Sequence, residues 1–337
     1  MSGSATSRAR IVGIDLARGL AVLGMYGAHV GVTEPFDWAR PGTWLDVVNG
    51  RSSILFALLA GVSLAIISGR TRPVDGGELR AARIRILVRA VLVFAIGLGL
   101  VWLDTYIAVI LPVYAVLFVA AVPVLRWRSR WLFVAAAVVA VAGPVAAVVA
   151  TLTVPAGGPV LDLVLVGLGV GRLELTARRV QLRLLGSGVA LAVLGYGLGV
   201  LANSAATAAV PPPSIELQRF ATIEPHSGSP FEVVGSTGFA LAVLALCLLA
   251  APVAGRALYP LAAVGSMALT AYTAHVVIVY FIGKTAFEQT DNGLYLAFVV
   301  GALVLCTAWA LTLGRGPLER VLTGVSRAAA RPLGRAR

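Results

Sequence analysis

Apolar residues run along this chain in long blocks, separated by short polar connections rich in arginine. Ten blocks stand out, roughly at 11–32, 52–68, 87–103, 105–125, 131–152, 157–173, 184–202, 236–254, 257–283 and 293–313. Most are long enough to cross ~30 Å of hydrocarbon at about 1.5 Å per helical residue. Strands of a membrane barrel would alternate polar and apolar over ~10 residues, and these blocks do not. The expected fold is all-α, a polytopic membrane helix bundle of about 10 transmembrane helices. Residues 1–313 are expected to form one transmembrane domain, with long outer loops at 33–51 and 203–235. The second loop opens on Pro211, Pro212 and Pro213. Residues 314–337 are expected to form a basic cytoplasmic tail, with Leu318, Val321, Leu322 and Val325 at helical spacing. The block at 157–173 is short and holds Asp162, so a re-entrant segment competes there with a full crossing.

Composition agrees with the blocks. Of 337 residues, 59% are hydrophobic and 12% charged, against roughly 25% charged in soluble domains. Mean hydropathy is +0.92. A water-soluble protein, a disordered chain and a disulfide-rich scaffold are excluded. Cys247 and Cys306 lie in apolar blocks, where neither a disulfide framework nor a zinc site is expected. The net charge of +12 would point to nucleic acid in a soluble protein. Here it reports topology. Arg40, Arg51, Arg219 and Lys284 fall on one side and Arg18 lies within the first block. The other 22 of the 27 basic residues fall on the opposite side. By the positive-inside rule both termini are cytoplasmic. The expected location is the cell membrane, with lipids as partners and no nucleic acid. Arg8 and Arg10 before the first block imitate a signal peptide, but Asp15 and Arg18 within it argue against one.

Ionisable residues inside hydrocarbon are costly and need a reason. The first block carries three, Asp15, Arg18 and His29. Asp15 and Arg18 are one turn apart and can pair on one face. His29 returns to within about 20° of that face and roughly 16 Å further along. An interfacial ion pair that anchors the helix end is the competing reading of Asp15 and Arg18. The remaining histidines are His226, in EPHSGSPFE of the second long loop, and His275, in GSMALTAYTAHVV. All three fall in the outer half of the expected bundle. A neutral imidazole suits general-base work. No short spacing supports a metal site.

IDLARGLAVLGMYGAHV followed by SSILFALLAGVSLAIISGR resembles the opening of bacterial membrane proteins similar to heparan-α-glucosaminide N-acetyltransferase, within the wider membrane acyltransferases. DTYIAVILPVYAVLF and PLAAVGSMALTAYTAHVV are similar to later segments of the same group. The resemblance implies a bundle of ten or eleven helices, often dimeric. It implies transfer of an acyl group, with acetyl the expected one, from cytoplasmic acyl-CoA to an acceptor on a cell-envelope glycan or glycolipid at the outer face. His29 matches the family's terminal histidine, as catalytic base or acyl carrier. Some relatives place that histidine in the first outer loop, and 33–51 has none, so His226 is a second candidate. Arg70, Arg72, Arg80, Arg83 and Arg85 are expected to bind the anionic donor, unless they serve topology alone. Arg18 lines the path and Asp15 holds it. Arg51, Ser52 and Ser53 are placed to bind the acceptor or an oxyanion. His275 and Ser227, which adjoins His226, complete the expected substrate-binding set. The alternatives are a transporter or flippase and an envelope-assembly scaffold.

Overall fold

The computed structural model describes residues 10–150, 160–209, 211, 214, 218, 220–283 and 291–331. Arg8, Pro212, Pro213, Arg219, Lys284, Arg335 and Arg337 lie outside the described residues. Every expected block contains helix, and there is no strand among the described residues. The helices are α1 (Val12–Val30), α2 (Arg51–Ile67), α3 (Gly76–Val101), α4 (Leu111–Ala121), α5 (Ser129–Ala150), α6 (Val160–Gly171) and α7 (Arg178–Ala208). They continue as α8 (Pro230–Ala250), α9 (Tyr259–Ser266), α10 (Ala268–Ile282), α11 (Asn292–Thr312) and α12 (Pro317–Ala330). Among the described residues, five helical stretches are long and apolar enough to cross a membrane, or six if α9 and α10 form one span bent by 81°. The chain is a membrane protein. Asp15, Arg18 and His29 dilute the apolar content of α1, and α4 and α6 are short.

The first long loop is not open chain, because it winds into a 3₁₀ helix over Pro41–Val48. The second is shorter than expected, because α7 continues to Ala208 and α8 starts at Pro230. That start is capped on the plan of a capping box, with the return bond made to the residue before the N-cap. The Ser229 hydroxyl accepts from Glu232 N–H at 3.0 Å, and Glu232 reaches back to Gly228 N–H at 3.3 Å.

Glycines set the closest helix approaches. A Cβ on Gly167 would collide with the Leu58 carbonyl, so α6 lies directly against α2. A Cβ on Gly265 would collide with the Asp15 carbonyl, which draws α9 onto α1. Small residues at such crossings replace the hydrophobic drive that lipid does not supply. The six tryptophans lie at or within about a turn of helix ends, as interfacial aromatics do. Trp38, Trp44 and Trp102 mark one end of the bundle and Trp127, Trp131 and Trp309 the other.

Arg172 fastens the turn after α2. It is 6% exposed. Its Nη1 donates to the Ser68 and Arg70 carbonyls at 3.1 and 2.8 Å, and its Nη2 to the Ser68 hydroxyl at 2.8 Å and to the Leu125 carbonyl. α12 packs along α3 and does not lie free. Its Glu319 accepts from Leu269 and Thr270 N–H at 2.8 and 3.1 Å, at the first turn of α10. A carboxylate is well placed against the free N–H groups of a helix start.

Candidate active site

The packing of α9 and α10 on α1 brings together two histidines far apart in sequence. His29 Nδ1 lies 3.2 Å from His275 Nε2, and the two rings are stacked with centroids 5.4 Å apart. His275 is buried and held on both sides. Tyr26 stacks on it at 4.2 Å, and Phe298 of α11 meets it edge-on at 4.7 Å. Tyr26 is itself fixed, because its hydroxyl donates to the Ala271 carbonyl at 2.9 Å. The contact occupies one nitrogen of each ring. His29 is half-buried and makes no other hydrogen bond among the described residues, which leaves its Nε2 to meet a reactant. A largely apolar cavity of about 400 Å³ between α10 and α11 opens against Tyr26, His275 and Phe298.

Asp15 and Arg18 stand toward the other end of α1. Asp15 is 5% exposed and receives Arg10 Nε at 2.5 Å and Arg18 Nη1 at 3.3 Å. Arg18 Nη2 donates to Ser63 Oγ of α2 at 2.6 Å. Four arginines, Arg18, Arg85, Arg315 and Arg327, lie within electrostatic reach of Arg89 of α3. Arg89 points toward α12, with Ser326 and Thr323 hydroxyls at 3.4 and 3.5 Å. This basic cluster differs from the expected one. Only Arg85 of the five named from sequence belongs to it. Arg70 turns toward Glu174 at 3.8 Å, Arg72 and Arg80 are exposed, and Arg83 is half-buried on α3. Arg89 was legible, since it follows Arg85 by four residues on one helix face.

Arg51, His226 and Ser227 form a separate group at the start of α2. Arg51 Nε donates to the Tyr196 hydroxyl at 3.0 Å and lies over that ring, and the Tyr196 hydroxyl meets Ser236 Oγ at 2.9 Å. His226, at a left-handed φ of 63°, belongs to a turn packed on Gly50. Among the described residues it makes no hydrogen bond or ring contact with His29 or His275. The Ser52 and Ser53 hydroxyls are both used within the helix start, donating to the Val48 and Gly50 carbonyls at 3.0 and 2.7 Å. In the preceding loop, Ala39 N–H and Arg40 hold the Asp37 carboxyl below the usual carboxylate range. No group of three or more metal-ligating side chains occurs among the described residues.

These features define a membrane helix bundle with a histidine pair near one end of α1 and an arginine cluster near the other. Comparison with known families adds two matches. Residues 10–156 match the catalytic region of heparan-α-glucosaminide N-acetyltransferase. Residues 180–327 match a family described as a protein of unknown function, DUF418. Each match covers less than half of the chain, and the first begins on the opening residues that resemble the membrane acyltransferases. No curated protein matches it.

Proposed function

We propose that the protein is a membrane acyltransferase that uses His29, held by His275, to move an acyl group, acetyl in the first instance, from acyl-CoA to a hydroxyl or amine. The observation that carries this reading is the 3.2 Å contact between His29 and His275, which joins the stretch matching a transferase's catalytic region, where His29 lies, to the second matched stretch, where His275 lies. His29 Nε2 takes the proton of the acceptor. The freed lone pair attacks the thioester carbonyl, the C–S bond breaks, and the thiolate leaves with the proton returned from the imidazolium. In a variant of the same chemistry His29 itself carries the acyl group between donor and acceptor.

The donor's phosphates sit at the Arg18, Arg85, Arg89, Arg315 and Arg327 cluster, where a polyanion offsets five like charges. That end faces the cytoplasm, with both chain termini, and the helices make about ten crossings of a bacterial plasma membrane. The acceptor, a cell-envelope glycan or glycolipid, enters at the His29 end, where Arg51 and His226 lie.

Vesicles of defined orientation test the sidedness. Acyl-CoA supplied only on the face bearing the termini is expected to support transfer to an acceptor supplied only on the opposite face. Transfer only when donor and acceptor share the His29 face would contradict the arrangement. Movement of an intact small molecule with no thioester cleavage would identify a transporter.

A further inference from the structure

A second cavity, of about 600 Å³, lies between α5 and α6 on one side and α7 and α8 on the other. None of its lining residues comes from α1, α10 or α11, so it is independent of the histidine pair. Its α6 wall runs from Asp162 through Val166 and Val170 to Leu173, a rise of about 16 Å. The space is therefore an elongated slot along the helix axes, of a size ordinary for ligand sites. Apart from Asp162, Ser187, Thr237 and Arg183, its walls are apolar.

Asp162 is 1% exposed. Its Oδ1 is buried and has no hydrogen-bond partner among the described residues. An acceptor left so in an apolar wall is costly. The start of α6 explains an acidic residue in the first turn, but not an oxygen left unused. The Glu232 carboxyl lies within electrostatic reach, so this end of the slot holds two carboxyl groups. Arg183 stands on the α7 wall toward the other end.

We propose that the slot binds a long-chain amphiphile whose head is a hydrogen-bond donor, an amine or a hydroxyl. The head sits on Asp162 and the hydrocarbon chain lies along α6 toward Arg183. The unsatisfied oxygen gives the head its chemistry, and the apolar walls give the chain its place.

Photoactivatable probes with one long alkyl chain, ending in an amine, a hydroxyl, a carboxylate or a methyl group, test this on the full chain in nanodiscs. The amine and hydroxyl probes are expected to label α6 and α8 about five-fold more than the other two. Asp162→Leu is expected to abolish that preference, and Val166→Phe, which fills the slot, to reduce labelling by every probe. Equal labelling by all four probes would overturn the proposal, leaving a gap that any lipid fills. So would a preference that survives in Asp162→Leu. If Asp162→Leu does not fold, Val166→Phe decides. Loss of amine labelling at α6 and α8 supports the site, and unchanged labelling overturns it.

Discussion

His29→Ala is expected to lower acyl transfer by about 10²–10⁴-fold, the usual contribution of a positioned base. The protein should still fold. His29 is half-buried, and its loss leaves the buried His275 Nε2 without a partner, a cost of about 1–3 kcal/mol. Its other ring contact is the edge of Tyr272 at 6.5 Å. His275→Gln should have a smaller effect, about 10-fold, because it acts by orienting His29. The readout is release of the free thiol from acyl-CoA with acceptor present, beside helix content and size-exclusion behaviour. Activity kept in His29→Ala but lost in His226→Ala would move the reaction to the group around Arg51.

The second large effect is structural. Arg172→Met should destabilise the protein by about 3 kcal/mol or more. One guanidinium bonds the carbonyls of Ser68, Arg70 and Leu125 and the Ser68 hydroxyl. Each buried acceptor left without a donor costs about 1–3 kcal/mol. The same side chain thus closes α2, shapes the turn into α3 and ties the end of α4. In detergent the unfolding midpoint should fall by roughly 5–10 °C. A fall under about 2 °C would mean that water replaces these bonds at little cost.

The helix pattern was largely legible, because long apolar runs in hydrocarbon leave the backbone only one solution. The errors came at ends. α3 begins at Gly76, well before the apolar run, because the arginine-rich stretch continues the same helix. The block 105–125 contracts to Leu111–Ala121, since Pro112 in the first turn starts the helix late. The block 257–283 breaks at Met267 into α9 and α10. The start of α8 is readable from the Ser-x-x-Glu spacing of Ser229 and Glu232, which marks a helix N-terminus.

The site was legible only in part. Asp15, Arg18 and His29 share a helix, so their common face follows from spacing. The contact of His29 with His275 does not, because periodicity within a helix carries no information about register between helices. That register is set by Gly19 against Leu261 and Gly265 against Asp15. Phe298, on a third helix, had no signal. In the sequence Asp162 interrupts a short apolar block, and only the structure places it in the wall of a cavity.

The most direct measurement is thioester cleavage by the purified wild-type protein in detergent, with acyl-CoA as donor and a glycan or glycolipid acceptor. Continuous release of free thiol with a matching acylated acceptor is expected, with no need for a sealed membrane. Absence of both binding and cleavage of acyl-CoA by well-folded protein would contradict the proposed activity.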